Sequence, residues 1–340
     1  MAQNTLEISV NGKWVAVPAL HIDGKAVVVT GKFVKIAAVH DESWLESELE
    51  TPRSCIDGLR ARESGGLKAD IFTFAQRLPA TNPRYPYPVE WDSIAAIRLT
   101  TFEDWWRNLP QETRKNARRA ARRGVVVKIQ KFHDALIKDI VALNNDSPMR
   151  QNVAFAHYGK TFDEVKRDYS SFSDRSHFIC AYLEEELIGL IKLVNCGRIA
   201  AIMQLLTKSS QYEKRPANAL IAKAVEHCVQ TQMSYLTYCN YSYGNKRQSS
   251  LSEFKSRNGF QEILVPRFYI PLTIRGKIGM KLKLHRDLLA LLPESAIRWG
   301  LSFRAGLYKL RRVVRRCSSM PERPSSNRQM ERSNPPAGSN

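Results

Sequence analysis

Side chains able to do chemistry concentrate in three stretches of the 340-residue chain. Residues 147–160, SPMRQNVAFAHYGK, have neither helical nor strand periodicity, yet they place Arg150, Gln151, His157, Tyr158 and Lys160 in one loop. These supply hydrogen-bond donors, cations and an imidazole titrating near neutrality, as proton transfer requires. A lone loop histidine is usually a hydrogen-bonded surface group, so it is the density that singles this loop out. The second stretch, residues 211–220 (QYEKRPANAL), reads as a polar turn opening a helix at Pro216. A helix N-terminus offers unpaired N–H groups and partial positive charge, and Lys214 and Arg215 beside it suit a phosphate or another anion. The competing reading is an ordinary strand-helix-strand unit with two solvated cations. In the third stretch, residues 112–123, cations at 114, 118 and 122 and at 115, 119 and 123 form one broad face. Ala117, Ala120, Ala121 and Gly124 leave a seam of small residues that can press against a neighbouring helix. Six cations on one face repel each other, which raises an anionic ligand to a par with the competing reading of a merely solvated helix.

The elements that must position these groups follow from pattern. Strands are expected at 6–10, 14–17, 26–30 and 33–39, with Asn11-Gly12 and Asp23-Gly24 as hairpin turns. A short strand follows at 70–74. Residues 78–88 hold four prolines and must be irregular, and Tyr85, Tyr87 and Trp91 suggest an ordered loop over a pocket. Helices are expected from 101 to 106, at 112–123 (closed by Gly124) and at 135–143, with a strand at 125–129 between the last two. Strands at 177–183, 187–194 and 199–206 form a meander. Pro216 suits the first helical position, and Leu220, Ile221, Ala224, Val225, Cys228 and Val229 give that helix one buried face. A strand at 235–239, a short helix at 249–257 and closing strands over 262–272, broken at Pro266, complete an α+β pattern. Helix resumes from Lys281. Residues 294–316 form a basic amphipathic helix usable against an anionic membrane, or docked on the protein itself, and 318–340 should be disordered.

The net charge is +19, and its distribution is uneven. Residues 107–123 carry seven Lys/Arg against Glu112, residues 275–286 carry five against no acid, and residues 301–340 carry nine against two. Such clustering points to an acidic partner: nucleic acid, anionic membrane or phosphorylated substrate. The six cysteines show no C-x-x-C spacing, which fits a reducing compartment and implies neither zinc nor any other metal site. The first ten residues are too polar for a signal peptide, and no apolar run reaches the roughly 18 residues of a membrane span. A cytoplasmic protein is expected, peripheral on the inner membrane face where 294–316 touches it.

Three blocks carry a resemblance to the GNAT acyltransferases, and within them to the Fem-type branch, which joins two GNAT-like halves. They are Trp105-Trp106 followed by TRKNARRAARRG (113–124), then KRPANALI (214–221), then EFKSRNGF (253–260). The 147–160 loop resembles a subgroup linked to envelope polysaccharide synthesis. The resemblance implies GNAT-like halves at 1–135 and 136–275, a basic extension at 276–317 and a tail at 318–340. It implies an acyl donor, acyl-CoA and most simply acetyl-CoA, cradled by Lys214, Arg215, Ala217, Asn218 and Ala219. Alanines stand at 217 and 219 where acetyl-CoA binders carry glycine, so aminoacyl-tRNA, the donor of the best-known Fem-type enzymes, remains the alternative. Lys255 would lie near the acyl carbonyl. His157 is the candidate base, with Tyr158 or Glu253 as substitutes. Arg150, Gln151 and Lys160 would orient a small-molecule or lipid-linked saccharide acceptor, and Arg118, Arg119 and Arg122 a phosphate. A non-catalytic scaffold binding nucleic acid or membrane is the second reading. Against it, aromatic residues do not interleave the basic stretches.

Overall fold

The computed structural model describes residues 4–10, 13–61, 67–150, 153–242 and 249–286, all within one of the chain's two compact units, Met1–Glu294. The readings for 294–316 and 318–340 fall outside the described residues. Four strands open the chain: β1 (Asn4–Val10), β2 (Lys13–Ile22), β3 (Lys25–Thr30) and β4 (Ile36–Val39). The Asp23-Gly24 turn has both residues at positive φ, 49° and 72°, the pairing that matches strand twist. The strand expected from 33 starts at Ile36, because Gly31 (φ 97°) turns the chain first.

Then come α1 (Pro52–Arg60), β5 (Ile71–Ala75), β6 (Val89–Arg98), α2 (Phe102–Asn108), α3 (Gln111–Arg122), β7 (Val125–Gln130) and α4 (Asp134–Asn144). A two-residue hairpin, β8 (Met149–Arg150) and β9 (Val153–Ala154), precedes α5 (Phe162–Ser170). The meander β10 (Ser176–Leu183), β11 (Glu186–Cys196) and β12 (Ile199–Thr207) leads through a 3-10 turn, Ser209–Lys214, into α6 (Pro216–Gln230). β13 (Tyr235–Asn240), α7 (Ser250–Arg257), β14 (Gln261–Pro271) and α8 (Ile274–Lys281) follow.

One twelve-stranded sheet runs β1-β2-β3-β4-β5-β14-β6-β13-β12-β11-β10-β7. Among the described strands two pairings are parallel, β4 with β5 and β12 with β13, and each is bridged by a helix, α1 or α6. The two halves thus repeat one motif: an antiparallel meander, a helix, then a parallel strand. β14 returns from the C-terminal side to lie between β5 and β6, so one sheet serves both halves. Against β10–β12, α2, α3 and α6 cover one apolar layer, and α4 and α5 cover another around Leu136, Ile140, Tyr169 and Phe178.

Three expectations are corrected. β14 is unbroken at Pro266, whose carbonyl accepts from Gln76 N at 2.9 Å on the β5 side, just beyond the last β5 pairing. Its missing N–H therefore faces a place where the ladder has already ended. Tyr85 and Tyr87 do not roof a pocket; they pack on Phe74 and Phe268 in the first half's core, and Trp91 lies in β6. A helix begins earlier than expected, α8 at Ile274, where the Thr273 side chain accepts from Gly276 N at 3.0 Å. It ends at Lys281 as Lys283 (φ 57°) turns the chain, and the helix expected beyond 286 lies outside the described residues.

Candidate functional site

β12 and β13 are paired for only three residues, Ile199–Ala201 against Tyr235–Thr237. β12 then continues to Thr207, while β13 follows β6, with a register shift at Tyr238 and Cys239 (φ 49°). Backbone polar groups along β12 beyond Ala201 thus border an opening between the two strands. α6 begins at the open end, since the chain leaves the C-terminal end of β12 to enter it. Arg215 adopts the left-handed conformation (φ 60°) as its N-cap. α6 has no side-chain cap and no acid in its first turn, so its N-terminus keeps its positive end uncompensated by its own sequence. Lys214 and Arg215 flank it, and Arg215 Nε is buried without a partner. Ala217 and Ala219 lie in the first turn of α6, half-buried.

α3 packs along α6, but of the expected small seam only Ala120 is fully buried there; Ala117 is half-buried, and Ala121 and Gly124 are exposed. Arg123 donates to the carbonyl of Glu213, which fixes the last turn of α3, with Arg119 and Arg122, against the 3-10 turn. Arg118 points elsewhere, its guanidinium 5.5 Å from the Trp106 ring.

The block 253–260 meets the other two. Trp105 Nε1 donates to Asn258 O at 3.2 Å, Thr113 Oγ1 to Arg257 O at 3.0 Å, and Asn218 Nδ2 to Asn258 Oδ1 at 3.1 Å. Asn218 therefore spends its amide on α7. Lys255 is fully buried; it donates to Asn240 O at the end of β13, and its ammonium lies 4.8 Å from the Tyr238 ring. Burial holds its pKa below the ordinary lysine value. Glu253 is exposed and paired with Arg257 at 2.6 Å, away from the opening's buried groups.

The 147–160 loop is ordered by residues the sequence reading passed over, Asn144-Asn145-Asp146. Asn145 Oδ1 accepts from Gly159 N at 2.9 Å. Asp146 accepts from Ser209 N at 2.6 Å and Ser210 Oγ at 2.7 Å, which ties this loop to the turn before α6. Burial would raise the Asp146 pKa, but the bonds from Ser210 and Ser209 hold it below the usual carboxylate range. Asn144 is fully buried with both amide atoms unpartnered, and so is the Tyr169 hydroxyl. Arg150 lies 3.8 Å from the Phe155 ring, its Nε also buried and unpartnered, and His157 Nδ1 is in the same state. Lys160 is taken by Asp168 at 2.5 Å. Burial, then Lys160 and Arg150, push the His157 pKa down against the pull of Asp168. Tyr158 is exposed, and Gln151 lies outside the described residues. Gln204 of β12 faces the same side of the sheet as its register partner Lys192, and its Oε1 is another orphan. Lys192, fully buried, donates to Tyr169 O and to the carbonyl and hydroxyl of Ser171, and burial lowers its pKa to about 8.

Buried polar groups without partners are few in folded proteins and cost free energy, so a cluster of them beside a loop marks a place built for a polar ligand or water. The structure thus brings His157, Arg150 and Lys160 together with Asn144 and Tyr169, and separately holds the turn bearing Lys214 and Arg215 against the last turn of α3 through Arg123, while Arg119 bonds Asn116 Oδ1 at 3.4 Å. Asp146 links the two groups. A cleft of about 620 Å³ lined by Arg98, Arg198 and Tyr235 lies at the other end of β12 and β13, remote from both. Among the described residues no cluster of three or more His, Cys, Asp or Glu could hold a metal, and no helix is long and apolar enough to cross a membrane.

No family profile and no curated protein matches the sequence. Solved structures do match the fold. FemX aligns with a TM-score of 0.54 at 7% identity, over 82% of this chain and 90% of that one. The C-terminal domain of a putative lysylphosphatidylglycerol synthetase from Agrobacterium fabrum aligns at 0.51 and 12% identity, over 79% and 88%. L-PGS from Bacillus licheniformis aligns at 0.50 and 11%, over 74% and 83%. Identities this low speak to fold alone. With the two meander-helix-strand halves and the splayed pair β12–β13, they give one conclusion: the chain has a GNAT-like fold of the Fem type.

Proposed function

We propose that the protein is an acyltransferase that moves an acyl group from a phosphate-bearing donor to an amine or hydroxyl of a saccharide-linked acceptor of the cell envelope. The observation that carries this reading is the tether through Asp146, which sets a pocket of unpartnered polar groups beside the uncapped N-terminus of α6. Donor phosphates would sit at that N-terminus, against Lys214, Arg215, Arg119 and Arg122. The acyl arm would run along the β12–β13 opening. The acceptor would lie over the 147–160 loop, with Arg150, Asn144 and Tyr169 meeting its polar groups.

Transfer then needs a proton taken from the attacking amine or hydroxyl, donors for the oxyanion that forms on the acyl carbonyl, and a proton for the departing group. His157, kept neutral by burial and by nearby cations, suits the first task. Lys255, whose ammonium is fixed beside the β13 register shift, supports the donor side of the opening. The acyl donor is acyl-CoA in the simplest form of this reading. Aminoacyl-tRNA is its rival, favoured by alanine at 217 and 219 and by the cationic face of α3.

The test is calorimetric titration of the purified chain with acetyl-CoA, longer acyl-CoAs and charged tRNA at two salt concentrations. Saturable acyl-CoA binding that disappears in Arg215→Ala supports the first donor, and binding of charged tRNA alone supports the second. Absence of binding by all of them at low salt refutes the reading.

A further inference from the structure

Helix α8 is seated on its small residues. Gly276 and Gly279 are buried; a Cβ at 276 would lie 1.9 Å from Asp70 O, and one at 279 would lie 3.0 Å from Val34 Cγ2. The large apolar side chains of α8 consequently face outward. Ile274, Ile278 and Leu282, spaced i, i+4 and i+8, form one stripe and are 78%, 54% and 60% exposed. Phe33, 81% exposed, belongs to the turn whose Val34 contacts Gly279. Asp70 holds both pieces, accepting from Lys35 N at 2.9 Å and Thr273 Oγ1 at 2.8 Å. Around the stripe stand Lys32, Lys35, Arg275, Lys277, Lys281 and Lys283, all exposed, and none forms an ion pair among the described residues. The nearest acids are engaged, Asp70 as above and Glu90 with His285 and Arg286.

Apolar residues turned to solvent inside a ring of unpaired cations match a bilayer surface, where acyl chains meet the first and anionic headgroups the second. Nucleic acid would satisfy the cations but leave the isoleucines in water. A second copy of this face would be repelled by its like charge. We propose that α8 and the 31–35 turn form a docking face for anionic phospholipid, distinct from the 294–316 segment and independent of the transferase reading. The face would hold the protein against the bilayer through shallow insertion of Phe33, Ile274, Ile278 and Leu282.

The experiment is flotation of the full chain with vesicles of phosphatidylcholine, with and without phosphatidylglycerol. Two surface pairs are compared with the unaltered chain: Ile274→Ser with Ile278→Ser, and Lys277→Ala with Lys281→Ala. All four sites are exposed, and thermal melting checks that both variants remain folded. Binding is expected only with phosphatidylglycerol, falling with salt, and weakened about thirtyfold by loss of the lysine pair. The serine pair should lose binding at least as strongly. The proposal is overturned if either pair binds like the unaltered chain, if phosphatidylcholine alone suffices, or if no vesicle binds. Polyanion binding that drops in the lysine pair but not in the serine pair, without vesicle binding, would replace the bilayer by nucleic acid.

Discussion

Asn218 and Asn258, forty positions apart on α6 and at the end of α7, are joined side chain to side chain, Nδ2 to Oδ1 at 3.1 Å. Asn258 is 2% exposed, and its Nδ2 donates to Phe254 O at 2.8 Å while its carbonyl accepts from Trp105. One asparagine thus ties α2, α6 and α7. Asn258→Ala should destabilise the fold by about 1–2 kcal/mol, because it leaves Asn218 Nδ2 without its partner, while Phe254 O keeps the backbone N–H of residue 258. Asn218→Ala should cost about 1 kcal/mol, with a coupling of about 1 kcal/mol in the double-mutant cycle. Urea denaturation of the three variants measures this; independent effects would refute it.

Gly259 stands at φ 86°, and a Cβ there would approach Trp105 Nε1 to 2.7 Å and Trp105 Cδ1 to 3.1 Å. Gly259→Ala should therefore cost about 2–3 kcal/mol, part from the left-handed conformation and part from displacing the indole. Equilibrium denaturation gives the first number, and the near-ultraviolet signal of Trp105 reports the second effect. A stability change below about 1 kcal/mol would show that the indole moves freely.

Those two residues also show what could be read in advance. The blocks 105–124, 214–221 and 253–260 stood out in sequence, and they meet at Asn258. α6 was legible because Pro216 opens it and six apolar positions share its buried face. α5 was not, since only Val165 and Tyr169 of its nine residues are buried. β6 was hidden by its prolines upstream and by the absence of clean alternation in VEWDSIAAIR. Asp146 acquires its role only when the chain 63 residues later, Ser209, comes to meet it. Lys192 left a signal that went unused, a lone cation inside an otherwise apolar strand.

His157 sets the acid limit of the proposed reaction. Its pKa is below 6.5, so the imidazole remains neutral, and able to accept a proton, at pH values where an exposed histidine is already protonated. The acid limb of kcat/KM should accordingly fall below pH 6.5 and vanish in His157→Gln, with turnover down about 10²-fold. The same shift bears on stability. The unfolded chain binds the proton more readily, so the contribution is complete above pH 6.5 and is lost as pH falls through the lowered value. A limb at or above 6.5 would remove His157 from the role of base.

Asp146 provides the last test, because it joins the loop to the turn without touching either proposed substrate. Asp146→Ala removes two hydrogen bonds, from Ser209 N and Ser210 Oγ, and should cost about 1–2 kcal/mol of local rather than global stability. Amide exchange in 147–160 should then quicken about tenfold or more, while exchange in the α6 core stays as it was. If the acceptor lies over the loop and the donor at α6, KM for the acceptor rises and donor affinity changes little. Acid should imitate the substitution. Since the folded Asp146 pKa is lowered, the tether is intact above the ordinary carboxylate value of 3.8 and is lost as pH falls through the lowered one. Equal losses of donor and acceptor binding would mean that loop and turn form one site rather than two held side by side.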